Sequence, residues 1–558
     1  MPQKPVFSKA PILAVPHCFP SNGTVRSADE RIRDLYSRSV EHADNPYLWE
    51  GLFRVACLIK NKPMDERVST LILNAIRETD NGSFEGSLST QISIVRAALA
   101  VYEYNTERTI LQRIAVWCRF LEIDFDQLIK QDPIPLYKPA DLMEFLVRFY
   151  QITGLKAVLR ICTRLRAAAF NWTSALHTFQ QSIPVQMNGQ DNFTPDLSVM
   201  PADIDYDEKE KLINHAEMLA DGVRYSVFSG LFSGNGQDLA AGRTVWRYLH
   251  KHHFALCGGT TSNPYLCGRA SDQPVSNRAV AAWAEAFASQ MILDGSEWAL
   301  DELIRIVYNA LEECINRKKA DVAQKVNTAG NINPEVDESA ELLARLTRAV
   351  AAVYTHVMTL TEKGIMINYL LPGKIMAMIR KQPVVFCIDS NSAVIQSRKP
   401  FSANLDVFVP ATGTSALSVT AEQNETIVME KTVRNDKGYY IHLKQEWQNQ
   451  DGIRFDDTDM IICEKTHHQG ICIIHNNHLY SLPVNSEGCF CAISGEPEIS
   501  GGEITIPVSE IAVLYAGENM NDIPVLPSAC GPEILKKLKP YSKTYSRITM
   551  FPKVNHHV

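Results

Sequence analysis

Residues 141–161 read DLMEFLVRFYQITGLKAVLRI. Leu142, Phe145, Leu146 and Phe149 recur at i, i+3, i+4 and i+7, the apolar stripe of an amphipathic helix. The stripe stops at Ile152-Thr153-Gly154, and a second helix follows through Val158, Ile161 and Leu165. This helical hairpin recurs along the chain. Ile92–Tyr104 leads through Asn105-Thr106-Glu107 into Ile110–Phe120. Ala220–Phe232 leads through Ser233-Gly234-Asn235-Gly236 into Leu239–Leu249. Val280–Leu293 leads through Asp294-Gly295 into Trp298–Leu311, and Arg54–Lys60 with Arg67–Ile76 makes an earlier pair. Hairpins at such uneven intervals do not make a tight solenoid; a closed ring with one helix of each pair inside fits their number.

The connections from one hairpin to the next are longer and richer in polar residues: 80–86, 131–141, and 184–214 ending in Ile213-Asn214-His215. In an alternating ring they emerge at one end, where they would surround a cleft; the plainer alternative is tolerated surface insertions. From Gly364 the texture changes. Val384-VFCI, Leu405-DVFV, Thr426-IVME, Tyr439-YIHLKQEW, Gly470-ICIIH and Ile504-TIPV are short runs rich in Val, Ile and aromatics, bounded by Asn, Gly, Asp and Pro. Such runs indicate an antiparallel β-sandwich. The expected organisation is multidomain, α then β. An irregular segment spans 1–27, an (α/α)6-type helical barrel 28–362, an antiparallel β-sandwich 363–527, and a segment packing back on the barrel 528–558.

Composition narrows the function classes. A net charge of −8 on 558 residues gives no basic footprint for nucleic acid. No apolar run is long enough to span a membrane, and the start MPQKPVFSKAPILAVPHCF is broken by prolines, unlike a signal peptide. Thirteen cysteines without a regular frame suit reduced thiols and a cytoplasmic location.

Several segments, in order, resemble the bacterial β-L-arabinofuranosidases of glycoside hydrolase family 127. Asn214-His215-Ala216 is similar to that family's Gly-His-Ala helix start, and Leu256-CGGTTS to its Ile-Thr-Gly-Gly-Ile-Gly-Ser. Ala284-Glu285-Ala286-Phe287 resembles Ala/Gly-Glu-Thr-Cys, and Val307-Tyr308-Asn309-Ala310-Leu311 resembles Leu-Tyr-Asn-Gly/Ala-Leu. Tyr439-YIHLKQEWQNQDGIRFD is similar to its Arg-Glu-Trp strand and Gly-Asp turn. The resemblance implies an (α/α)6 barrel followed by β-sandwich domains, acting on a glycan. It also implies a zinc-bound cysteine nucleophile, a second Glu as acid/base, and thiolate ligands of the kind zinc favours. This chain departs from that chemistry. Glu285 keeps a ligand position, but Phe287 replaces the partner cysteine. No cysteine lies between Cys314 and Cys387, and the acid/base position falls at Gly268-Arg269-Ala270. Cys257 and Cys267, nine residues apart, match no standard zinc spacing.

The site is therefore expected to hold neither metal nor cofactor. A metal-free glycosidase needs two carboxyls across the sugar, and Glu285, Glu217 and Asp272 are the candidates. His215, Asn214, Arg269, Trp283 and Tyr265 are candidates for holding the carbohydrate through hydrogen bonds and ring stacking. Interior Glu285 could equally be paired with Arg269 or Arg278. Three readings follow: a divergent glycoside hydrolase, a non-catalytic glycan-binding or scaffold relative, and a uronide-active hydrolase or lyase in which Arg269 holds the acid group. The expected partner is a carbohydrate, with a homo-oligomer possible.

Overall fold

The computed structural model describes residues 26–551 except 60–61, 78–81, 186–194, 263, 269–274, 294–296, 317–338, 362–363, 380–381, 411–416, 424–425, 434–437, 457–461, 466–470, 484–489, 501–502, 512–528, 542–546 and 549–550. Its first half is helical: α1 (Arg26–Val40), α2 (Pro46–Leu58), α3 (Lys62–Arg77), α4 (Leu88–Asn105), α5 (Arg108–Gln131), short α6 (Ile134–Tyr137), α7 (Ala140–Thr153) and α8 (Lys156–Ala168). There follow α9 (Trp172–His177), α10 (Tyr206–Asn214), α11 (Ala216–Ser233), α12 (Gly236–His252), α13 (Asn277–Gln290) and α14 (Glu297–Arg305). A π-helical turn at Ile306–Ala310, α15 (Leu311–Asn316) and α16 (Ala340–Thr355) complete the set.

Helices α2, α4, α7, α11, α13 and α16 each pack on the next, and α16 packs on α2, so the ring closes. The sequence selects them for the inside. Helices α11 and α13 are buried on nearly every face, whereas outer α5 and α12 bury one stripe. Closure needs a small residue: a Cβ on Gly51 of α2 would lie 2.1 Å from Thr347 Oγ1 of α16. All six inner helices start at the end bearing the long connections. The others finish at the end bearing the hairpin turns, and α16 runs on there into the β region.

Strands begin at Met358, five residues before the expected boundary, since α16 stops at Thr355. Residues 358–456 build a four-stranded and a six-stranded sheet. All pairings there are antiparallel except Gly364–Ile367, which runs parallel to Phe401–Val409. A second β unit follows, with its own core of Ile473, Leu482, Ile493, Ile504, Ile506, Val508, Leu538 and Phe551. Of the C-terminal segment expected to return to the barrel, the described strands join this unit, while Tyr541 is buried in the main core. Ala529–Lys537 pairs with Glu503–Ile511, and Arg547–Ile548 with Leu482–Pro483, because their backbone groups complete the ladders of this unit.

The Val307–Leu311 motif joins the two halves. The π-helical turn aims Asn309 at the β-turn opposite, where Asn309 Nδ2 donates to Asn477 O at 3.1 Å and Leu479 N donates to Asn309 Oδ1 at 2.7 Å.

Candidate active site

Each inner helix carries charged residues on one otherwise apolar stripe. On α11 they are Glu217, Asp221 and Arg224 at i, i+4 and i+7; on α7, Asp141, Glu144 and Arg148; on α16, Arg345 and Arg348. Helix α2 adds Glu50 and Arg54, α4 adds Arg96 and Glu103, and α13 adds Glu285. The ring turns these stripes to a common axis, where they interlock.

Arg345 is the hub. Its Nη1 donates to Glu285 Oε2 at 2.9 Å and Asp221 Oδ1 at 3.0 Å, and its Nη2 to Glu217 Oε1 at 3.0 Å. Arg224 Nη1 reaches Glu285 Oε1 at 3.3 Å, and Arg348 Nη2 reaches Glu285 Oε2 at 3.5 Å. Asp141 receives Arg96 at 2.7 Å, Arg348 at 3.1 Å, and Arg224. Glu50 receives Arg96 at 2.8 Å, and Lys138 lies 3.5 Å from Glu217. Seven acids (Glu50, Glu103, Asp141, Glu144, Glu217, Asp221, Glu285) thus meet seven cations (Arg54, Arg96, Arg148, Arg224, Arg345, Arg348, Lys138), and the axis carries no net charge. Burial alone would raise the Glu217 carboxyl, but the Lys138 and Arg345 charges outweigh it and hold it well below the usual carboxylate range. Asp141 and Glu50 are held down in the same way, against their burial, by the arginines around them.

This arrangement bears on catalysis. A glycosidase's general acid is a carboxyl kept protonated by a raised pKa. Glu285 and Glu217 do come together, but through one shared guanidinium. The partners of Glu285 are Arg224, Arg345 and Arg348, none of which was expected. Arg269 and Asp272 lie outside the described residues, so the readings that rest on them stay as expectations. Arg278 donates to Glu341 at 2.8 Å and Ser339 at 3.0 Å.

The zinc implied by the resemblance does not fit the residues present. Three guanidiniums crowd Glu285, the retained donor, where a divalent cation would be repelled. Phe287 offers no donor; its ring packs on Trp246 at 4.8 Å and Trp283 at 5.2 Å. Cys257 is buried, and Cys267 Sγ donates to Tyr265 O at 3.1 Å. Trp283, expected to face sugar, is fully enclosed, and its Nε1 donates to Thr260 Oγ1 at 3.0 Å.

Bridges hold the described part of the loop after α12. Phe254 bridges to Thr260, Ser262 to Leu266, and Tyr265 to His215. His253 Nε2 donates to Gln181 O at 2.7 Å and Nδ1 accepts from Gly268 N at 3.0 Å. That tautomer is neutral, and burial pushes the ring down to about 4. The loop brings Tyr265 edge-on to His215, ring centres 5.3 Å apart, at the start of α11. His215 occupies the N-cap of α11 without capping it by its side chain, and burial lowers its ring to about 4. Around it several enclosed polar atoms have no partner among the described residues: His215 Nδ1, Asn214 Oδ1, Ser262 Oγ and Tyr137 Oη. Burial, then Asp196, Asp203 and Glu208, pushes the Tyr137 phenol up to about 12. Buried polar atoms are nearly always satisfied, so these mark the loop end of the barrel as a place where a ligand's hydroxyls can complete hydrogen bonds. Of the expected residues, the fold gathers His215, Asn214, Tyr265 and Glu217 there.

No family model and no curated protein sequence matches the chain. Solved structures do. A protein described as a glycoside hydrolase superposes with a TM-score of 0.69 at 11% identity, covering 96% of both chains. The chain therefore has the fold of a glycoside-hydrolase-like protein, a helical barrel followed by β-sheets. Within that class it is similar to a GH127 β-L-arabinofuranosidase from Geobacillus stearothermophilus T6, with a TM-score of 0.62, 13% identity and 94% of both chains covered. It is also similar to a further GH127 β-arabinofuranosidase, with a TM-score of 0.61, 11% identity and 98% of both chains covered. At these identities the likeness is one of fold.

Proposed function

We propose that this glycoside-hydrolase-like chain binds a carbohydrate at the loop end of its barrel and does not cleave it by a two-carboxylate mechanism. The observation that supports this reading is the sharing of Arg345 by Glu217, Asp221 and Glu285. Glu217, held well below the usual carboxylate range, is a poor proton donor to a departing sugar oxygen, and Asp221 and Glu285 are engaged by the same guanidinium. The charges instead hold the inner helices in register, while the unpartnered groups near His215 and the Tyr265 ring receive the sugar. The fold likeness to glycoside hydrolases favours a carbohydrate over other polar ligands.

The test is a panel of aryl glycosides and plant oligosaccharides offered to the purified chain, with and without chelator, read for both turnover and binding. Saturable binding without hydrolysis, with one binding component lost in His215→Ala, is the expected result. Turnover by the untreated chain would overturn the proposal, and its abolition by chelator would restore a metal mechanism.

A further inference from the structure

A second chamber lies at the opposite end of the barrel, among the C-terminal turns of the inner helices. Its volume is about 840 Å³, within the range of small-molecule sites. Exposed Thr106, Gln151 and Ile152 on its rim place its entrance at solvent. Phe228, Leu231 and Ile292 supply an apolar wall, and the ion-paired axis lies at its base.

Two lining groups are informative. Arg224 is 2% exposed and His356 is 7% exposed, yet Arg224 Nε and His356 Nε2 have no partner among the described residues. His356 Nδ1 lies 2.7 Å from Ala352 O, and a carbonyl can only accept, so Nδ1 carries the proton. Burial lowers the basicity of this ring and keeps it neutral. Nε2 is then a bare acceptor, while Arg224 Nε is a donor. A single ligand reaching both would accept from the one and donate to the other, which a hydroxyl compound does. Charge balance selects further. The chamber's five arginines outnumber its four glutamates, and Asp141 behind the wall, paired with Arg96, Arg224 and Arg348, meets the remaining charge, so an anion or a cation would have to compete with existing pairs, whereas a neutral molecule would not.

We propose that this chamber binds a neutral polyhydroxy molecule, a sugar or polyol of mono- to disaccharide size, accepting from Arg224 Nε and donating to His356 Nε2. The site is separate from the loop end and stands whether or not that end binds a glycan.

The test is ligand-observed NMR and calorimetry on the full chain. L-arabinose, D-glucose and galactitol serve as neutral probes, and D-glucuronate and D-glucosamine as charged ones. Neutral probes should bind saturably, with affinity reduced at least about tenfold in Ala352→Trp, which fills the chamber, and in His356→Phe. His215→Ala should leave this binding unchanged. Gln151→Trp on the exposed rim gives a second block if an interior variant does not fold, as thermal melts will show. Binding lost in His215→Ala but kept in Ala352→Trp or Gln151→Trp would assign the sugar to the loop end and overturn the proposal. Preference for a charged probe, or no saturable neutral binding up to about 100 mM, would also overturn it.

Discussion

Replacing Arg345 by methionine keeps much of the side chain's volume and removes its charge. The consequence can be followed acid by acid. Glu285 retains Arg224 at 3.3 Å and Arg348, and Glu217 retains Lys138 at 3.5 Å. Among the described residues Asp221 retains only Arg224, at 3.7 Å, in a site 2% exposed. Removing one partner from a buried ion network costs about 3–5 kcal/mol, chiefly the cost of the charge left uncompensated. For a large domain at about 2–4 °C per kcal/mol, that lowers the melting temperature by about 6–20 °C. The pH dependence separates this cause from lost packing. In the native chain Glu217 sits below its ordinary value of 4.5, so its contribution is fully present above that pH and is lost as pH falls through it. In Arg345→Met the sign reverses for the orphaned acid, because protonating an uncompensated buried carboxyl removes the unfavourable charge. The deficit relative to the native chain should therefore narrow as pH drops from 8 toward 5; the stability that buried His215, His253 and His356 cost below about pH 6.5 is common to both chains and cancels in the difference. Melts followed by circular dichroism in matched buffers read both effects. A variant within about 2 °C of the native chain throughout would refute an ion-paired barrel axis.

Gly258 has φ of +99°, and a Cβ there would lie 2.6 Å from Ile306 N, so Gly258→Ala should cost at least about 1–3 kcal/mol, read as a lower denaturant midpoint. Asn309→Leu removes both hydrogen bonds to the 477–479 turn and should cost about 1–3 kcal/mol, with faster amide exchange at Leu479 marking looser docking of the β unit. Below about pH 4.5 the native chain should lose stability steeply as Glu217, Asp141 and Glu50 take up protons, and a melting temperature unchanged between pH 5 and 3 would contradict their pairing.

The local pattern carried the architecture a long way. The stripe of Leu142, Phe145, Leu146 and Phe149 marks a helix whichever face it buries, and the turns after Asn105, Thr153 and Ser233 fall where the periodicity breaks. Asn214 and His215 were legible through resemblance and Tyr265 only as a ring that could stack; Tyr265 lies 51 residues from Asn214 and meets His215 by a bridge the loop makes. Trp283 reads alike as a sugar platform or a core residue; its partners Thr260 and Phe287 settle it as core. A signal for the ion network was present but unused: charges at i, i+4 and i+7 within helices that are apolar on every other face.

Periodicity along the chain determined that there are paired helices followed by strands, because which residues face the same side of an element is a property of nearest neighbours. The resemblance to known motifs added that Phe287 stands where a cysteine is expected, and phenylalanine cannot supply a thiolate. Only the closed ring decided what Glu285 does. A buried carboxylate's ion pairs are set by groups a few ångströms away in space, and Arg345, Arg348 and Arg224 reach Glu285 from 60, 63 and 61 residues away in the chain.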